Sequence, residues 1–423
     1  MLHHLLTARV ACFAIATLFC APLPAVTIYA ITDANTLVAF DSATPGTPAF
    51  ASIPTVGIPV TGLQVGETIV NIDFRPSTGE LYGVGSTMRV YKIDVQLNTA
   101  APPATAVAAA VSAIPFTTPA AAKYGMDFNA VPDRIRLVNS DEQNLRLNPI
   151  NGSLSGTDTN LTPAGSIADV AYDRSFPGST TTTAYAIDSA TDMLERLGGV
   201  NGSPSPNGGA LTEIGPLGAD ISSFSAIDFG AGAKLFAVLQ VGGVSGLYTI
   251  STSTGAATLV GSVDGNPAIL GIAVAPQLAL VKKKSIKLNF AKADSDSVSF
   301  SGTLDVPLSF FDKAPQQPAT LVWLGGIQRS FVLDEKGRGV SGGDKLTVAI
   351  NLNNGAPTGS FKLSLKKGSF AASLVDEGLI NADVTAQPVH VPLSIFINST
   401  QFHSSPNLVL SYTAKAGKTG KAK

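Results

Sequence analysis

At 423 residues the chain is long enough for two or three domains, each with a sizeable core. Charged residues are 14%, well under the usual share of about 25%, and with 41 Gly and 27 Pro this is the composition of short strands joined by tight turns. Both cysteines, Cys12 and Cys20, lie in the first 25 residues with His3 and His4. A chain trimmed there keeps no thiol and only His390 and His403, which excludes thiolate nucleophiles, cysteine-ligated zinc and disulfide exchange.

The first 25 residues read as a secretory signal peptide. Arg9 precedes the apolar run VACFAIATLFCAPLPA, too short to span a bilayer, and small residues around Ala25 suit cleavage there. Phe19 stands where a lipidated Cys20 would need a small residue. The expected location is secreted, periplasmic or cell-envelope. With no second apolar run of about 18 residues, no membrane span is expected.

From residue 26 a loose unit recurs. IVNIDFRPSTGELYGVG begins at Ile69, YGMDFNAVPDRIRLVN at Tyr124, IADVAYDRSFPGSTTTTAYAID at Ile167 and FSAIDFGAGAKLFAVLQ at Phe224. The aromatics Phe74, Phe128, Tyr172 and Phe229, with Val274 in a truncated last copy, are separated by 54, 44, 57 and 45 residues. That spacing suits four-stranded propeller blades. The last copy stops after its first strand while residues 26–58 begin in mid-unit, so these are expected to supply its outer strands and close a five-bladed β-propeller over 26–278. Tyr29, Tyr82, Tyr91, Tyr185 and Tyr248 at matching positions read as unit core. Residues 98–122 and 198–209 read as exposed excursions.

Past Gln277 the repeat is lost, and runs such as GDKLTVAINL and VHVPLSIFINS alternate apolar and polar residues. They predict an all-β second domain, a smaller β-sandwich over 280–413, with a flexible basic tail at 414–423. Charge divides the halves. Val26–Ala279 holds 10 Lys and Arg against 20 Asp and Glu, whereas Leu280–Lys423 holds 17 against 10. Lysines on strand edges discourage edge pairing; alternatively the basic part binds an anionic envelope polymer or docks on the acidic ring. No interleaved basic and aromatic run points to nucleic acid.

Polar chemistry concentrates in Tyr124–Pro149. Asp73, Asp127 and Asp228 each precede the repeat aromatic, so alternation sends carboxylate and aromatic to opposite faces and gathers the carboxylates around the axis. There they are expected to accept backbone N–H groups, or to pair with Arg75, Arg134 and Arg136, locking unit to unit. Asp127, Asn129 and Asp133 are hard oxygen ligands within seven residues, a weak calcium-type pattern without EF-hand spacing. The candidate binding set is Asp73, Arg75, Asp127, Asn129, Asp133, Arg134, Arg136, Asn144 and Arg146. No cofactor is expected, calcium being the one candidate.

The residues GMDFNAVPDRIRLVN and QNLRLNP, with IDFRPSTGELYGVG upstream and GLYTISTSTGAATLVG downstream, resemble a domain-of-unknown-function family of secreted, mainly bacterial proteins. Its pattern includes DFNP-x-x-DRIR and NLR, and the resemblance runs from Thr27 to Val263. It implies that Asp127, Phe128, Asn129, Asp133, Arg134, Ile135, Arg136, Asn144, Leu145 and Arg146 hold the motif positions. Ala130 departs from the pattern's proline, with Pro132 two residues on. The stretch KKGSFAASLVDEGLINADV resembles a small β module of exported bacterial proteins. Neither resemblance implies an activity.

The sequence therefore favours an exported, non-enzymatic protein that binds a glycan or protein ligand at a propeller mouth. A glycan-active hydrolase or lyase using Asp73, Asp127, Asp133 and Asp228 is one alternative. A structural component of the envelope or surface is the other.

Overall fold

The computed structural model describes residues 25–97, 104–112, 114–117, 121–230, 234–304, 319–351, 358–397, 401–405 and 408–423. The expected leader, with Cys12 and Cys20, lies outside them save for Ala25. The described chain is all-β, with only short 3-10 turns besides its strands.

Up to Val274 the strands assort into five antiparallel units. Three are four-stranded and consecutive: Tyr124–Asn129 to Leu154–Thr157, Ile167–Tyr172 to Leu211–Pro216, and Ala226–Gly230 to Ala257–Ser262. We number these units three, four and five. Unit two runs Ile69–Phe74, Leu81–Gly85, Val90–Gln96 and Thr105–Ala110. Unit one is assembled from both ends of this region: Ile269–Val274 pairs with Thr27–Thr32, which pairs with Thr36–Asp41. The outer strand Ile58–Thr61 then pairs in parallel with Thr105–Ala110, so units one and two share one sheet. The strand at Thr105–Ala110 corrects the expectation of an exposed excursion over 98–122.

The first strands of the units pack side by side in cyclic order, two on three, three on four, four on five, five on one and one on two. They are largely buried; Ile167–Tyr172 is buried at all six positions. Each second strand sends one large side chain across to the inner aromatic of the next unit. Tyr29 meets Phe74 edge-on at 5.8 Å, Tyr82 meets Phe128 edge-on at 5.3 Å, and Tyr185 meets Phe229 at 5.4 Å with the rings tilted. Phe236 shares an apolar cluster with Val274. Edge-on rings at such distances gain about 0.5–1.5 kcal/mol beyond their area, so these wedges are what the repeated aromatics are for. Unit three has no such ring, because Arg136 occupies the position, opposite Asp127 as Tyr82 is opposite Asp73.

From Gln277 on, a five-stranded and an eight-stranded sheet contribute to one apolar core, from Ile286 and Phe300 to Leu393 and Leu410. The C-terminal residues do not fray. Thr419–Ala422 is an internal strand of the larger sheet, between Leu280–Asn289 and Val409–Lys415, and Ala422 is fully buried.

The two parts touch. Ser404 Oγ donates to Thr78 O at 3.2 Å, Phe396 stacks on Phe176 with centroids 4.1 Å apart, and Gly178 lies against the Trp323 indole. Thr78, Phe176 and Gly178 are all in loops that follow first strands, so the second part sits over that end of the ring. No ion pair joins the two parts among the described residues, so their opposite charges are not used in direct pairing.

His403 pairs in register with Gln277 at this junction and is fully buried, with no hydrogen-bond partner on either ring nitrogen. Burial alone lowers its pKa to about 4. The unfolded chain takes up this proton near pH 6.5 and the folded chain does not. Stability is therefore complete above pH 6.5 and falls as the pH drops from 6.5 to 4, by roughly 3 kcal/mol in all. Urea titrations followed by Trp323 fluorescence, comparing the parent with His403→Leu, measure this contribution. Parallel pH profiles for the two proteins over that window would contradict it.

Candidate functional site

The aspartates that precede the repeat aromatics converge as alternation requires. One carboxylate oxygen from each of Asp73, Asp127 and Asp228 lies within 4.8 Å of the others, and all three residues are buried. All three bind backbone across a unit boundary, Asp127 at Tyr172 of unit four. Asp73 accepts from Phe74 N at 2.6 Å and from Phe128 N at 2.7 Å. Asp228 accepts from Phe229 N at 2.6 Å and from Val274 N at 2.5 Å. Asp127 Oδ1 has no hydrogen-bond partner.

A fourth carboxylate, Asp169, lies one layer away. It accepts from Met126 N, Ile227 N and Asn71 Nδ2 at 3.1, 3.0 and 2.9 Å, binding unit four to both neighbours and to unit two. Asp169 was not legible from the repeat, because it stands three residues before the aromatic Tyr172 and Ala171 holds the aligned place. Lys123, also buried, donates to Leu270 O and attracts Asp169.

Ionised carboxylates this close repel by roughly 3 kcal/mol per pair at an effective dielectric of about 20. Burial, then Asp228, hold Asp73 well above the usual carboxylate range, despite its two N–H bonds. Burial, then Asp73 and Asp228, do the same to Asp127. Burial pushes Asp228 and Asp169 up to about 7, and pushes Lys123 down to about 8. With Asp73, Asp127 and Asp228 each no more than 3% exposed, no sugar reaches this trio.

The arginines expected beside these aspartates are elsewhere. Arg75 forks onto Asp133, with Nε–Oδ1 at 3.0 Å and Nη2–Oδ2 at 2.5 Å, joining unit two to the first turn of unit three. Asn129 Oδ1 accepts from Thr182 Oγ1 at 3.0 Å. Asp127, Asn129 and Asp133 thus serve three different partner sets and are not brought together as one ligand group.

Arg136 is the largest fully buried side chain of the described residues. Its guanidinium reaches Asp158 at 2.6 Å, Asn144 Oδ1 at 2.6 Å, Asn207 Oδ1 at 2.6 Å and the Tyr172 hydroxyl at 3.1 Å. Arg146 closes on the same Asp158 with a two-pronged contact at 2.8 Å. Asn144 Nδ2 donates to Thr159 O and Pro206 O. The segment 198–209, expected to be an exposed excursion, therefore packs: two 3-10 turns bring Pro206 onto Asn144 and Asn207 onto Arg136.

Above this cluster, where the wedge ring is missing, the seam between units three and four holds a cavity of about 250 Å³. Arg134, Arg136 and Arg146 line it together with Asn129, Thr182 and Asn207. Arg134 donates to the backbone oxygens of Pro132 and Asp133 and forms no ion pair among the described residues. Of the three guanidinium groups, those of Arg136 and Arg146 thus share one carboxylate, Asp158.

A family described as Domain of unknown function (DUF4394) matches residues 36–273, more than half of the chain. The chain belongs to that family. The DUF4394 region contains both the axial carboxylates and the arginine-lined seam, whereas the part beyond Ala279 lies outside it. No curated protein matches the chain. Among solved structures it is similar to one in a nidogen/laminin complex, at 13% identity and a TM-score of 0.31, over 64% of this chain and 85% of that one. It is also similar to the Cps50 (Swd1) β-propeller domain of Myceliophteria thermophila, at 10% identity and a TM-score of 0.29, over 86% and 98%. YCF48 from Cyanidioschyzon merolae is similar at 10% identity and a TM-score of 0.28, over 85% and 96%. At these scores the likenesses carry no functional argument.

Proposed function

We propose that this chain is an exported binding protein, a five-bladed β-propeller followed by a β-sandwich, whose seam between the third and fourth blades takes an anionic small molecule or the acidic end of a glycan. The observation that carries this reading is Arg136. Where the other blades insert a ring, this one inserts a buried guanidinium, and a polar cavity opens beside it. Arg134 presents donors in the fork geometry that suits carboxylate or phosphate, beside the partly exposed Arg146 whose own fork holds Asp158. Asn129, Thr182 and Asn207 add neutral groups of the kind that orient hydroxyls. The leader-like first 25 residues support secretion in this reading. The absence of a reachable carboxylate pair at the axis is why binding is favoured over glycan hydrolysis.

Calorimetric titration with oligouronates, sugar phosphates and neutral oligosaccharides of the same length tests this. Binding is expected for the charged probes alone. Arg134→Ala should weaken it about tenfold or more, the worth of one charge-assisted hydrogen bond, without lowering the melting temperature. Equal binding of neutral and charged probes, or an unaltered affinity in Arg134→Ala, would sink the reading.

A further inference from the structure

We propose that Asp73, Asp127 and Asp228 together hold one divalent cation of calcium size on the ring axis. Three strands from three different units each contribute one carboxylate oxygen, and these oxygens lie within 4.8 Å of one another. Oxygen ligands alone suit a hard cation, and a buried site walled by protein suits calcium, which accepts irregular geometry, better than magnesium, which demands a near-ideal octahedron and gives up its waters reluctantly.

The second observation is Asp127 itself. Its residue is 1% exposed and its Oδ1 accepts no hydrogen bond, whereas Asp73 and Asp228 each accept two from backbone N–H groups. A carboxylate oxygen has lone pairs to spare after accepting one such bond. The N–H groups therefore fix Asp73 and Asp228 in place without exhausting them, and Asp127, whose carboxyl also meets the Tyr172 backbone N–H and the Asp228 carboxyl, keeps one oxygen, Oδ1, that accepts no N–H bond. The cation Lys123 is engaged with Asp169 and does not neutralise the trio. Neither Asn129 nor Asp133 takes part. A bound ion would clamp units two, three and five at their innermost strands.

The test uses the purified full chain, stripped by chelator and dialysed. Because the cluster is buried, calcium chloride alone is added both to folded protein and during refolding from urea. One calcium per chain is expected to survive removal of excess, with a melting temperature about 5–10 °C higher at calcium a hundredfold above Kd. Asp127→Asn, which keeps the shape and removes the charge, should lose the calcium shift and the bound metal while melting no lower than the stripped parent. Absence of both shift and retained metal in the refolded parent overturns the proposal. So does an undiminished calcium shift in Asp127→Asn, and an equal response to magnesium overturns the assignment of ion size. Should Asp127→Asn fail to fold, metal content and shift of the parent decide alone.

Discussion

Arg136→Ala should cost the ring about 3–5 kcal/mol, the usual penalty for breaking a buried, hydrogen-bonded ion pair from one side. In a unit of this size that lowers the melting temperature by on the order of 10 °C. The loss has identifiable parts. Asn144 Oδ1, Asn207 Oδ1 and the Tyr172 hydroxyl lose their donor, and a void opens where the side chain of a 2%-exposed residue stood. Asp158 keeps Arg146, so its charge is not stranded. Arg136→Tyr offers a sharper comparison, because it places at this seam the wedge that Tyr29, Tyr82 and Tyr185 form at the others. It should recover part of the stability lost in Arg136→Ala and still leave Asn144 and Asn207 unsatisfied. Thermal and urea denaturation of the three proteins measure this. A cost below about 1 kcal/mol for Arg136→Ala would mean that the polar cluster does not hold units three and four together.

Removing residues 419–423 should abolish the cooperative transition of the second part. The deleted strand pairs on one side with Ile286–Asn289 and on the other with Tyr412–Lys415. Its loss divides the eight-stranded sheet and exposes two edges. Gly420 lies against the Tyr412 ring so closely that a Cβ there would sit 2.5 Å from the hydroxyl, and that contact is lost too. The expected cost is about 4 kcal/mol or more, in the range reserved for loss of core structure. Trp323, the chain's one tryptophan, reports the change as a red-shifted emission, and limited proteolysis should cut beyond Ala279 while sparing the ring. A truncated chain that kept its transition within a few degrees would show that the strand is dispensable.

Much of the ring was legible because its information is local and repeated. The Asp–aromatic pair recurs, and a period of two assigns the carboxylate to the axis and the ring to the seam. The convergence of Asp73, Asp127 and Asp228 follows from that pattern alone. The partners of the arginines did not follow. Arg75 and Asp133 are 58 residues apart and Arg136 and Asn207 are 71 apart, and nothing in either neighbourhood marks them as mates. The signal for the seam was nonetheless present. Aligning the second strands places Arg136 in a column otherwise made of Tyr29, Tyr82, Tyr185 and Phe236. Asp169 escaped for the converse reason, standing in a column the repeat leaves unassigned. The final strand was misread because small and basic residues, TGKA, carry little strand preference of their own; the neighbours on both sides impose the conformation.

The pairing of Thr27–Thr32 with Ile269–Val274 sets an order of events. Bringing together strands about 240 residues apart costs about 5 kcal/mol in loop-closure entropy if the intervening chain is unstructured, and far less once the four contiguous units between them have formed. Each of units three, four and five needs only neighbours within a few tens of residues, so these can form early and independently of the ends. The opening strands of the chain must then wait, with their pairing edges unused, until the last inner strand has been made. The ring is thus completed by capture, its first residues being among the last to find their place.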